Sequence, residues 1–420
     1  MDGDPAVEPE LDSFSRSFPL PYRVAFIVVL VLTIVMIIAV WGWGTNLHHL
    51  YNLNIDVPSL IRYPQRQSSS HPPHHRSTYR LATALSITFA FSIVTFWLFS
   101  HRDPKLVIYY DWIPMTYLLV LALLFILPLR SLSLSHSGRS RLVATLKRVS
   151  VGGLAQASDG KFGDILLADV LTSYAKVMGD LFVCICMMFF RGAEGSATDR
   201  PDRNCGGKVL VPLIMALPYL IRFRQCLIEF VRVRSAPYKE SVGWGGQHLA
   251  NATKYATSFP VIIFSALQRN LPADAEASRA SLYRAWVVAC LVNSLYSFYW
   301  DVAKDWDLTL FSPRRERNSP GHAFGLRRRL MVGGPALYYL VIVTDLMLRC
   351  TWSLKLSPHL DHITDFESSI FLIEFLEVFR RWVWIFFRVE TEWLRNSNTG
   401  VGIDDILLGD YQGKFEEDDD

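Results

Sequence analysis

Five basic side chains stand inside otherwise apolar stretches of this 420-residue chain: Arg222, Lys254, Arg349, Arg380 and Arg381. Arginine keeps its charge at any accessible pH, and its planar fork matches the oxygens of a carboxylate or phosphate two at a time. Several such forks converging away from water suit a small tetrahedral oxyanion better than a cation or a sugar. Acids accompany them. Asp169, Asp301, Asp305 and Glu377 would orient the arginines, offset part of their charge and accept a proton. Spacing predicts shared faces: Asp345 with Arg349, and Glu377 with Arg381, are i, i+4 pairs that can meet on one helix. Arg349 and Trp352 are i, i+3, which sets an indole beside a guanidinium. Asp301 and Asp305 would repel unless a cation sits between them, and Lys304 or Lys254 can fill that place.

The elements that must position these groups read as membrane helices. Hydrophobic residues make up 51% of the chain and charged ones 19%, below the roughly 25% charge of a soluble domain. Twelve Trp fit an interfacial aromatic belt, and Trp300, Trp306, Trp382 and Trp384 are read that way. A span needs roughly 17–25 mostly apolar residues. Nine stretches qualify: 22–43, 80–100, 107–129, 165–190, 208–230, 254–269, 284–300, 333–356 and 368–388. The first three are nearly uncharged, so 22–129 reads as a lipid-facing anchor, followed by a basic linker at 130–164. The other six, within 165–395, each contain or abut ionisable residues. A charge at mid-bilayer costs about 2.5–3.5 kcal/mol, and repeating that cost across six helices implies a shared polar interior. The expected fold is therefore an all-α polytopic transmembrane protein of about nine spans, ending in a six-helix bundle.

Charge distribution sets the orientation. One alternate set of loops holds 19 Lys and Arg and the other 7, so the first set faces the cytosol. That leaves residues 1–21 on the opposite side and the acidic tail 396–420 in the cytosol. The net charge of +3 gives no bulk attraction for nucleic acid. The chain has no GxSxG, no HExxH, no phosphate-loop signature and no CxxC pair. It is read as a non-enzyme that needs no metal and no cofactor.

Five sequence blocks resemble the EXS family of membrane proteins. They are YLIRFRQCL (219–227), HLANATKYAT (248–257), SLYSFYWDVAKDWDL (294–308), DLMLRCTWSL (345–354) and LEVFRRWVWIFFRVETEWL (376–394), in the family's order. The resemblance implies that the C-terminal bundle moves inorganic phosphate. It carries the exporters' site onto Asp169 of the LAD motif, Arg222 of RFRQC, Lys254 of NATKY and Asp301 of YWD. Arg349 and Trp352 follow from LRCTW, and Glu377, Arg380 and Arg381 from LEVFRR. Where the exporters have Asn, three residues after the LAD aspartate, this chain has Thr172, which keeps a hydroxyl donor and loses the amide. Residues 1–21 are too few for the inositol-pyrophosphate-sensing SPX domain of the long exporters. The chain is thus similar to the short, SPX-less, ER-retention-defective type of fungi. That likeness implies a Golgi membrane protein that returns phosphate released by glycosylation from lumen to cytosol and so supports retention of ER and Golgi residents. The alternative is a membrane sorting adaptor, whose partners would be Golgi glycosyltransferases or their sorting machinery and whose buried charges would be structural only.

Overall fold

The computed structural model describes residues 20–61, 74–101, 106, 109–110, 112–127, 136–156, 160–189, 207–235, 245–272, 276–354 and 367–399. The side chains of 20–33, 351–354 and 367–371, with some single positions elsewhere, lie outside that description, as do the ends 1–19 and 400–420. The regular elements among the described residues are all helices, with no strand. The main helices are α1 (Leu20–Asn52), α2 (His74–Ser100), α3 (Trp112–Ile126), α4 (His136–Lys147), α5 (Lys161–Ser173), α6 (Ala175–Phe189), α7 (Gly207–Ser235), α8 (Gly246–Ala256), α9 (Ser258–Asn270), α10 (Glu276–Trp300), α11 (Pro335–Leu354) and α12 (Glu367–Thr399). Each of the nine apolar stretches thus contains helix among the described residues, and the fourth and sixth are interrupted there. The fourth divides at Tyr174 into α5 and α6, and the sixth divides at Thr257 into α8 and α9. By length and hydropathy alone, two described helices, His74–Ser100 and Lys208–Ser235, are long and apolar enough to cross a membrane. Pro212 and Pro218 lie inside the second of these, a tolerance familiar in membrane helices, where neighbours re-satisfy the freed carbonyls.

Burial runs opposite to the pattern of a water-soluble bundle. Leu291, Val292 and Leu295 on α10, Leu340, Val343 and Met347 on α11, and Leu213, Leu217 and Leu220 on α7 point outward. Asp169, Arg222, Asp301, Asp345, Glu377, Arg380 and Arg381 point inward and are buried. An apolar exterior around an ionic interior is stable where the outer solvent is hydrocarbon.

The apolar core is organised along α12, whose 33 residues run about 50 Å. Trp384, Ile385, Phe387 and Val389 pack with Leu47 and Leu50 of α1, Phe162 and Leu166 of α5, and Trp306. Trp300, Trp306 and Trp384 are therefore buried core residues and not an interfacial belt. Indole at an interface and indole in a core look alike in sequence, and only helix packing separates them. Trp382 is half-buried, and its Nε1 donates to the Gly42 carbonyl (3.1 Å) and to Thr45 Oγ1 (3.0 Å). A Cβ on Gly42 would lie 3.0 Å from the Trp382 ring, so glycine permits this approach. The first helix thus packs on α12.

The segment after α10 is pinned to α12 through Glu390, which is fully buried. Its carboxylate accepts from Tyr338 Oη at 2.7 and 2.8 Å and from the main-chain N–H of Met331, and it pairs with Arg327. Arg327 also donates to the Trp306 carbonyl at 2.7 Å, so this member of the basic run 314–329 turns inward. Tyr338→Phe removes one donor from a buried carboxylate and is expected to cost about 1–3 kcal/mol. A lowered midpoint in thermal unfolding of the detergent-solubilised protein checks it.

Candidate functional site

The two helix breaks lie beside the charged interior. Residues Thr172 and Ser173 end α5, while Lys254 and Tyr255 fall in the last turn of α8. Broken helices expose backbone and helix termini inside a bundle, and within a membrane such breaks persist where protein or a polar cavity surrounds them. The opposite wall comes from α10, α11 and α12. A π-helical turn, Asp301–Asp305, extends α10 and presents both of its end carboxylates to one lysine.

Asp301 is the hub. It is fully buried, accepts from Lys254 Nζ at 2.9 Å, pairs with Arg349 and has Arg380 Nη1 at 3.7 Å. Lys254 Nζ also reaches Asp305 at 3.1 Å, so Lys254 is the cation that sits between the two aspartates. Asp345 accepts from Arg349 Nε at 3.2 Å and from Arg380 Nη1 at 3.3 Å. Glu377 pairs with Arg380, its Oε1 lying 2.6 Å from Nη2. The i, i+3 partner has therefore replaced the expected i, i+4 pairing of Glu377 with Arg381. A second group stands on α5, α7 and α8: Arg222 Nε is 2.8 Å from Asp169 Oδ1, and Tyr255 Oη donates to the same carboxylate. The Arg222 guanidinium also lies 4.9 Å from the Tyr255 ring centroid.

Arg381 differs from the others. Its Nε donates to Ser173 Oγ at 2.9 Å and its Nη2 to Thr172 Oγ1 at 3.1 Å. It also stacks 4.5 Å from the Trp384 ring centroid. Nη1 has no hydrogen-bond partner among the described residues, although Arg381 is buried. It likewise has no carboxylate within ion-pair distance among them. The C-terminal end of α5, which carries partial negative charge, faces it instead. A buried guanidinium donor without a partner is costly, and a ligand oxygen would satisfy it.

These groups surround a cavity of about 40 Å³ lined by Thr172, Tyr219, Lys254, Tyr255, Ser258, Asn293, Ser294, Ser297, Arg349, Glu377, Arg380 and Arg381. One water needs about 10–15 Å³ by the same measure, so the space suits a small oxyanion. Asp169, Arg222 and Asp301 lie behind the lining and hold it. Trp352 is in the last turn of α11, and its side chain lies outside the described residues. Sequence reasoning missed the neutral wall of Tyr219, Tyr255, Ser258, Asn293, Ser294 and Ser297. A signal existed. Asn293 and Ser297 precede Asp301 at i, i+4, i+8 spacing, Tyr219 is three before Arg222, and Ser258 is four after Lys254. Cationic forks and hydroxyls offer an anion many donors and a metal ion few ligands.

Known proteins share this architecture's sequence. The chain is 30% identical over 390 residues to Protein ERD1 homolog 1 of Schizosaccharomyces pombe, covering 91% of this chain and 93% of that one. It is 26% identical over 409 residues to Protein ERD1 homolog 2 of the same organism, covering 88% and 95% respectively. It is also 30% identical over 264 residues to Solute carrier family 53 member 1 of Mus musculus, across 59% of this chain and 34% of that longer protein. A match over residues 18–394 takes in the three helices before the bundle as well as the charged interior, and by it the chain belongs to the EXS family.

Proposed function

We propose that this membrane protein carries inorganic phosphate through the cavity, from the Golgi lumen to the cytosol. The observation that carries the reading is Arg381: a buried guanidinium with an unpartnered donor, beside Lys254, Arg349 and Arg380, in a space of oxyanion size. The forks would replace the water around phosphate, the hydroxyls would take its remaining oxygens, and Trp352 would line the path. The phosphate transport implied by the likeness to EXS exporters supports the same substrate, and the ERD1 relatives support the short Golgi type. In this reading the chain crosses the bilayer nine times, with residues 1–21 in the lumen and 396–420 in the cytosol. The chain performs transport without a chemical step, and no ATP site is needed for a downhill flux.

Sealed Golgi vesicles loaded with radiolabelled phosphate test this directly. Vesicles containing the protein are expected to release phosphate faster than vesicles lacking it. Lowering lumenal phosphate by another route is expected to relieve the retention defect of cells without the protein. Equal release from both vesicle types, with a defect that persists at low lumenal phosphate, identifies a sorting adaptor instead.

A further inference from the structure

The ion pairs that hold the bundle together also limit the negative charge its cavity accepts. Among the described residues, Arg222, Lys254, Arg349 and Arg380 each have a carboxylate within 4 Å. The acids come from four elements: Asp169 from α5, Asp301 and Asp305 from the π-helical turn, Asp345 from α11 and Glu377 from α12. Further along α12, Arg388 pairs with Glu392 at 2.8 Å and approaches Asp305 at 3.8 Å. Glu374 is another buried carboxylate one turn before Glu377. Tyr219 and Tyr255 add titratable but neutral hydroxyls. Seven carboxylates thus stand against six cations across the described network, which leaves no surplus of positive charge. Arg381 alone among these cations has no carboxylate within ion-pair distance, and the α5 terminus already offsets part of its charge.

An unbalanced charge removed from water is penalised far more than a balanced one, and the penalty grows steeply with the size of the imbalance. Phosphate passes between one and two negative charges near neutral pH. We infer that the cavity takes phosphate as a singly charged anion and rejects dianions of the same shape, so that charge and not size sets its selectivity. This rests on the phosphate reading above. The acids have a second role in it: Asp345 and Glu377 act as the selectivity residues, holding Arg349 and Arg380 so that no further positive charge is available.

The test uses the full chain in liposomes, with phosphate and sulfate as probes. Sulfate is tetrahedral, close to phosphate in size and divalent throughout the neutral range. At constant total phosphate, flux is expected to rise several-fold as the medium is acidified through phosphate's second ionisation. Sulfate flux is expected to stay at least about tenfold lower at every pH, a difference of about 1.4 kcal/mol. Sulfate does not change charge over that range, so it separates titration of the anion from titration of the protein. Asp345→Asn and Glu377→Gln each remove one negative charge without changing shape, and either is expected to raise the sulfate-to-phosphate flux ratio several-fold. Phosphate flux that rises with pH, or wild-type sulfate flux equal to that of phosphate, overturns the inference and leaves transport standing. So does an unchanged ratio in both variants when each is purified as folded protein. Absence of phosphate flux at every pH overturns the transport reading and this inference with it.

Discussion

Asp301→Ala is expected to give protein that does not accumulate as a folded species in detergent. The carboxylate is fully buried and is shared by Lys254, Arg349 and Arg380. Its removal leaves Lys254 with Asp305 alone, and Arg349 and Arg380 with Asp345 and Glu377, in a medium of low dielectric. Breaking a buried ion pair by deleting one partner costs about 3–5 kcal/mol, and this residue serves several pairs at once. Native stabilities of about 5–15 kcal/mol leave little margin for such a loss. Asp301→Asn keeps the shape and one acceptor oxygen, so it is expected to be the milder variant. Size-exclusion profiles and thermal midpoints of both variants check the order. If Asp301→Ala melts with the wild type, Asp301 is not the hub.

Arg381→Ala is expected to separate transport from folding. Arg381 donates only to the hydroxyls of Thr172 and Ser173 among the described residues, so its loss strands no carboxylate. The variant is expected to fold with a thermal midpoint near that of the wild type. A hydrogen bond to a charged group is worth about 1.5–3 kcal/mol, which corresponds to about a tenfold to hundredfold loss of phosphate affinity. Phosphate flux through reconstituted Arg381→Ala is expected to fall accordingly. Arg349→Ala is expected to lose flux and stability together, because it removes one cationic partner from each of the buried carboxylates Asp301 and Asp345. Equal flux in Arg381→Ala and wild type would remove Arg381 from the pathway.

Much of the site was legible because charge inside an apolar stretch is expensive, and the positions that carry that cost identify themselves. Arg222, Lys254, Asp301, Arg349, Arg380 and Arg381 stand out in sequence for this reason, and the structure brings them together around one space. Pairing was less legible. Spacing allows Glu377 to meet either Arg380 or Arg381, and the choice depends on α5 placing Thr172 and Ser173 against Arg381. The hydroxyl wall escaped because a single Ser or Tyr in an apolar helix is unremarkable without its neighbours. The helix breaks at Tyr174 and Thr257 escaped as well, since neither falls at Pro or Gly. The buried position of Trp384 follows from the packing of α1 and α5 on α12, which no local pattern encodes.

Anion density in an electron-microscopy map of the protein prepared in saturating phosphate tests the site most directly. One tetrahedral peak is expected within hydrogen-bond distance of Arg381 Nη1, with Arg349, Arg380 or Lys254 as a second ligand. The peak is expected to vanish in Arg381→Ala. A cavity that stays empty at saturating phosphate, or a peak held elsewhere with Arg381 still unpartnered, would contradict the assignment of these guanidinium groups to phosphate.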